Sequence, residues 1–221
     1  GRPVSRFGLE LAAEHVDLGR LWPLALAFAP RSFDRFAGLA PRGRIDSLRA
    51  KAGRERAGLL PTFTVDAAVT GIGVAPHGRL PGLSGITAKI AGSDRSGTLQ
   101  LRATEASFEW PRLFLAPIDV DRVDADVTWQ RQGDEWVLAT RAARIEHAQA
   151  QATTDAELRV PRRPASPVLT LDAKVERGDV AAVAKFLPYG RLRERTIAWL
   201  DRAFVRGQVA DGRLTYHGPV R

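Results

Sequence analysis

The sequence predicts a mainly β protein: an antiparallel sheet of one-faced strands with a few short helical segments, its apolar face closed as a sandwich or left as an open groove. Three observations carry this expectation. Long stretches alternate strictly between apolar and polar residues, the mark of a half-buried strand with one wet face. Short segments rich in Gly, Asp and Pro punctuate them, as in GSDRSG (Gly92 to Gly97) and RQGDE (Arg131 to Glu135), which is hairpin-turn chemistry. Only two stretches break the alternation, too little helix to cover about ten greasy strand faces, so the sheet must either close on itself as a sandwich or leave a groove open.

The alternation places strands near Phe7 to Val16, Ile45 to Ala52, Phe63 to Gly71, Ile86 to Ala91, Gly97 to Ala103, Ala106 to Trp110, Val123 to Arg131, Trp136 to Thr140 and Ala143 to His147. Two further strands show it most cleanly. From Ala148 to Val160 the even positions run Ala, Ala, Ala, Thr, Ala, Leu, Val while the odd ones are polar, and from Val168 to Glu176 Leu169, Leu171, Ala173 and Val175 share one side. Many residues in the apolar phase are small, which favours a shallow groove wall over a closed core. The larger ones nominate Leu99, Leu101, Phe108, Trp110, Val127, Trp129, Trp136, Leu138, Leu158, Leu169, Leu171 and Val175 as groove residues.

The two interruptions read as helical caps. In Asp17 to Leu39, a capping Asp17 and apolar residues at Leu18, Leu21, Trp22, Leu24 and Ala25, then Phe33, Phe36 and Leu39, fit short helices, or a helix and an irregular connector, split by Pro23 and Pro30. In Asp179 to Phe204, Asp179 can cap a helix through Phe186, Pro188 interrupts, and Thr196, Ile197, Trp199, Leu200, Ala203 and Phe204 form the stripe of a second helix. Each stretch ends in Arg-Gly followed by a new alternating run. PRGRIDSLRAKAG at Pro41 and VRGQVADGRLTYHG at Val205 superpose at a single offset, Gly43 on Gly207, Ile45 on Val209, Arg49 on Arg213 and Ala52 on Tyr216. This echo predicts module boundaries: a first strand with a helical cap at 1–43, a β-sheet module at 44–177, a second cap at 178–206 and the start of another strand run at 207–221.

Composition narrows the function. The 221 residues are 44% hydrophobic, enough for a folded body, and the absence of Met with Gly at position 1 reads as a segment of a longer protein. The longest apolar run, Leu21 to Ala29, has Pro23 inside it and falls far short of the roughly 20 residues that cross a bilayer. With no Cys, disulfides, thiolate metal sites and thiol catalysis are excluded. The net charge of +8, dominated by Arg, permits attraction to anionic lipid headgroups or nucleic acid. Nucleic-acid binding calls for exposed aromatics among the basic residues, whereas Trp110, Trp129 and Trp136 fall on the apolar phase, so no nucleic-acid partner is expected.

Chemistry-bearing motifs are missing. His15, His77, His147 and His217 are scattered without metal-ligand spacing. Asp119, Asp121, Asp124 and Asp126 suggest calcium, but an EF-hand loop needs Gly at its sixth and Glu at its twelfth position, where Asp124 and Gln130 stand; the cluster reads as a turn entering a strand. There is no GxSxG elbow, P-loop or GxGxxG, and no carboxylate pair that would suit a glycan-cleaving enzyme. Neither an enzyme nor a cofactor is expected.

From Leu80 onward the chain resembles the AsmA-like proteins of Gram-negative envelopes, and within them the long YhdP-type members. The matching phrases are LPGLSGI (Leu80 to Ile86), WPRLFLAPIDVDRV (Trp110 to Val123), VTWQ with the later Trp136, SPVLTLDA (Ser166 to Ala173), GDVAAVAKFLP (Gly178 to Pro188) and WLDRAFVRGQVADGRLTYHGP (Trp199 to Pro219). His147-Ala148-Gln149 departs from the polar Asn-Ala-Asp phrase of that pattern. The resemblance implies a periplasmic protein anchored in the inner membrane, its elongated, curved antiparallel sheet forming an open groove with its apolar face, capped by the helical segments, with phospholipid acyl chains and components of both membranes as partners. It implies transfer of phospholipid between the inner and outer membranes along the groove, with no catalytic residues to carry over. The alternative is a structural or protein-binding scaffold of the envelope whose apolar faces close within the fold.

Overall fold

The structure, a computed structural model, describes residues 7–28, 38–54, 62–78, 80–162, 165–180, 189–203 and 206–220. Ten strands form one open antiparallel sheet, β1 (Phe7–Asp17), β2 (Arg42–Arg54), β3 (Thr62–Val74), β4 (Gly82–Ser93), β5 (Ser96–Glu109), β6 (Ile118–Gln132), β7 (Glu135–His147), β8 (Ala150–Pro161), β9 (Val168–Asp179) and β10 (Gln208–Pro219). Their order in the sheet is their order in the chain, every neighbour antiparallel, with β1 and β10 at the edges. Two α-helices are described, α1 (Leu18–Phe28) after β1 and α2 (Glu194–Ala203) before β10, with a short 3-10 turn at Tyr189–Arg191. The helix expected from Asp179 to Phe186, and the breaks at Pro30 and Pro188, lie outside the described residues.

Among the described residues no second layer covers the sheet. Its buried apolar residues are six alanines, Ala67, Ala88, Ala103, Ala106, Ala143 and Ala173, together with Val137 and Leu200, and among the described residues no large side chain is fully buried. The chain exposes 15692 Å² at 24.1 kDa. A compact monomer of that mass exposes roughly 10,000 Å². The unroofed sheet contributes to the excess.

The strands are longer than the alternation suggested, because its slips of phase are bulges rather than strand ends. Gly97 to Ala103 and Ala106 to Trp110 are read above as two strands, yet β5 runs unbroken from Ser96 to Glu109. Thr104 and Glu105 are both exposed, Glu105 has φ 53°, and Ala106 then returns to the buried side. Trp136 to Thr140 and Ala143 to His147 likewise join in β7 across Arg141 and Ala142, the latter with φ 50°. Similar doublets recur at Glu14-His15, Thr70-Gly71, Asp121-Arg122, Glu176-Arg177 and Ala210-Asp211. All sit toward the same end of the sheet. One extra residue per strand on the polar side lengthens that surface relative to the apolar one, which bends the sheet toward its apolar face.

Three smaller expectations are corrected. Pro23, the middle residue of α1, does not split the first helix: α1 continues through it without the bond that an N–H there would have made to the Gly19 carbonyl. Asp17 caps that helix as expected, its Oδ1 accepting the Arg20 N–H at 3.1 Å. The aspartates from Asp119 to Asp126 lie within β6 instead of in a turn, where Arg102 bridges Asp124 and Asp126 at 3.4 and 3.0 Å and Arg122 pairs with Asp124 at 2.7 Å. Finally, Trp199 is 59% exposed, outside the buried stripe of α2 that Ile197 and Leu200 form.

Candidate functional site

Residues opposite one another in an antiparallel ladder share a face. Following the pairs across the sheet therefore traces what lies side by side. One row crosses all ten strands: Ala13 opposes Leu48, then Ala67, Ile90, Leu99, Val127, Thr140, Ala156, Leu171 and Tyr216 follow. A second runs from Ile72 through Ile86, Ala103, Val123, Ile145, Ala152 and Val175 to Gly212. With strands about 4.8 Å apart, the ten-strand row is roughly 43 Å long, beyond the roughly 30 Å of a bilayer's hydrocarbon core. In the first row only Thr140 is polar besides the Tyr216 hydroxyl, and Thr140 Oγ1 has no hydrogen-bond partner.

The opposite face is ionic. Arg102, Asp124 and Arg144 are successive cross-strand partners there, and Arg213 Nε donates to Asp172 Oδ1 at 2.9 Å. The Arg213 guanidinium holds the Asp172 carboxyl below its ordinary value, and the Thr70 hydroxyl, with Arg44, does the same for Asp46. These charges sit in water and keep that face wet.

All twelve groove candidates are half-buried, and the register sets eleven of them on the apolar face. Leu99, Leu101, Val127, Trp129, Trp136, Leu138, Leu158, Leu169, Leu171 and Val175 come together there through β5 to β9. Trp129 lies flat over two glycines: a Cβ on Gly97 or Gly92 would sit 2.1 or 2.4 Å from its Cζ2, and its Nε1 donates to the Ser93 carbonyl at 3.2 Å. The glycines let the largest side chain form part of the floor instead of a post across it. Phe108 opposes Ile118 near the end of β5 and meets Trp110 and Phe114 edge-on, both at 6.1 Å between ring centroids. Trp110, just past β5, thus belongs to an aromatic cluster at the groove's end.

Sequence reasoning took no candidate from β1 to β4 or β10, though Leu11, Leu48, Val65, Val69, Ile86, Ile90, Leu214 and Tyr216 continue the same face. The signal was present in the alternation of those strands; it needed the register to extend it.

At the end where the bulges lie, connections are tied to one another by backbone hydrogen bonds. The Ala75 N–H donates to the Leu39 carbonyl at 2.7 Å, docking the β1–β2 connection on the β3–β4 loop. Farther along, the Gly190 N–H reaches the Leu113 carbonyl at 3.1 Å, so the β9–β10 connection crosses to the β5–β6 loop. A Cβ at Gly190 would stand 1.8 Å from the Arg112 carbonyl oxygen, a close approach that only glycine permits. Gly43 and Gly207, the glycines of the sequence echo, both take positive φ, 103° and 140°, where a helical connection gives way to a strand.

A sequence of this kind, an open sheet with an apolar row across every strand, matches the family model for the YhdP protein over residues 3–221. The chain belongs to the YhdP family. No curated protein and no solved structure matches it. Membership of this family suggests a role in envelope lipid transport. Among the described residues no group of three or more His, Asp or Glu is placed to hold a metal ion, and no helix is long and apolar enough to cross a membrane.

Proposed function

We propose that this chain is a segment of a periplasmic conduit that carries phospholipid between the inner and outer membranes, acyl chains lying on the apolar face while headgroups remain in water. The single observation that carries the reading is the apolar row that crosses ten strands, with no second layer over it among the described residues. Each methylene moved out of water is worth about 0.8 kcal/mol, so half-shielding ten of them offsets about 4 kcal/mol per acyl chain. The two rows are mostly alanine, leucine, isoleucine and valine, a uniform apolar wall that suits sliding over tight binding. The work asked of the protein is passive; no side chain has to transfer a proton or form a bond.

Native mass spectrometry of gently purified protein tests this. Phospholipid should be retained by the parent chain and lost from Leu101→Asp and Leu171→Asp, which put a charge on the groove floor. Protein that is consistently lipid-free and does not take up fluorescent lipid would support an envelope scaffold instead.

A further inference from the structure

The connections between odd and even strands all emerge at one end of the sheet: residues 18–41, 75–81, 110–117, 148–149 and 180–207. Among the described residues of these connections seven are basic and two acidic, an excess of five. The same end is greasy. Four of its connections each present a large exposed apolar side chain: Leu21 at 44%, Leu80 at 47%, Leu115 at 82% and Trp199 at 59%. Elsewhere on the chain the exposed apolar residues lie mostly on the face of the edge strands, which the groove already accounts for.

Helix α2 concentrates both properties. Arg195, Trp199 and Arg202 are spaced four and three apart, so they share one helix face, and all three are exposed. Ile197 and Leu200 turn the other way and are half-buried and buried. A tryptophan flanked by arginines on a water-facing surface is the arrangement that settles at a lipid headgroup boundary, the ring entering the acyl margin and the guanidinium groups meeting phosphates. The Gly190 to Leu113 bond ties this segment to the loop that carries Arg112 and Leu115.

We infer that this basic, apolar-tipped rim docks on an anionic phospholipid membrane surface, with Trp199 inserted and Arg195 and Arg202 on headgroup phosphates. Charge complementarity selects this occupant, since among the described residues an excess of five positive charges is gathered where the exposed apolar tips are.

The test is co-sedimentation of the purified chain with vesicles of phosphatidylcholine, alone or with about one third phosphatidylglycerol. Binding is expected to the anionic vesicles only and to weaken with salt. Removing each arginine should cost about fivefold in affinity, so Arg195→Ala/Arg202→Ala loses roughly 25-fold. Trp199→Ala should lose about tenfold, with an unchanged circular dichroism spectrum because the ring is exposed. Leu101→Asp, on the groove floor, should bind vesicles like the parent. Equal binding to both vesicle types, no binding, or unaltered binding by the Trp199 and arginine variants overturns the inference. So does a loss with Leu101→Asp as large as with Trp199→Ala, which would mean that lipid is held by the groove. Capture of polyglutamate, with the same Trp199 dependence and no vesicle binding, would replace the membrane with an acidic protein partner.

Discussion

Replacing Gly97 by alanine should destabilise the protein, although general expectation runs the other way. Gly97 does not occupy the left-handed region, so alanine there would ordinarily add about 0.4–1 kcal/mol by restricting the unfolded chain. The indole of Trp129 reverses the sign. The new Cβ would lie 2.1 Å from Cζ2 and ordinary contact begins at 3.4 Å, so the ring must retreat by about 1.3 Å. Its Nε1 bond to the Ser93 carbonyl, already 3.2 Å, does not survive that movement. Losing the bond costs about 1 kcal/mol and the overpacking about 1–3 kcal/mol, which leaves a net loss of about 1–3.5 kcal/mol. For a chain of this size that lowers the melting temperature by about 2–14 °C, measured by far-UV circular dichroism. Trp129→Leu should be less sensitive to the same alanine, so a double-mutant cycle should show coupling of more than about 1 kcal/mol. A Gly97→Ala protein as stable as the parent would refute the ring-on-glycine account of the groove floor.

Three further outcomes are expected. Thr140→Val removes the unpartnered hydroxyl in the apolar row with little change of shape, and chemical denaturation should show a gain of about 0.5–1.5 kcal/mol. Because Arg213 holds the Asp172 carboxyl below its ordinary value of 3.8, the pair's contribution is complete above that value and is lost as the pH falls through the lowered one. Unfolding followed from about pH 5 downward should therefore show a shallower acid decline in Asp172→Asn, with a salt-sensitive difference because the pair is exposed. Gly190→Ala should undock the β9–β10 connection, since its Cβ meets backbone; hydrogen exchange should quicken in 110–117 and 189–203 while the central strands stay protected.

The sheet was legible in the sequence wherever apolar and polar residues simply alternate, as in β8 and β9. Where the structure departs from that reading, the cause is local and consistent. At Thr104-Glu105 and Arg141-Ala142 the alternation slips by one residue, which a reading along a single strand takes for an ending. Only the neighbouring strand, which stays paired on both sides of the slip, shows that the strand continues. The groove candidates were legible for the same reason as the strands, since large residues in the apolar phase had to share a face. Their continuation through β1 to β4 was not, because alternation fixes a residue's face but carries no information on which residue lies opposite. Trp199 escaped for another reason: on a ten-residue helix with little to pack against, an apolar side chain at helical spacing need not point inward.

Because each strand pairs only with those before and after it in the chain, the sheet grows like a ruler with one graduation per strand. Every hairpin inserted or removed changes the length of the apolar track by about 9.6 Å and leaves its cross-section alone. Stability in such an array is a sum of neighbour terms, so damage in one hairpin stays local instead of dissolving a shared core. An odd number of strands is a different matter: it would reverse the chain's direction at every later position and move the basic rim from one end of the sheet to the other. The span such a protein bridges can therefore be tuned only in pairs of strands.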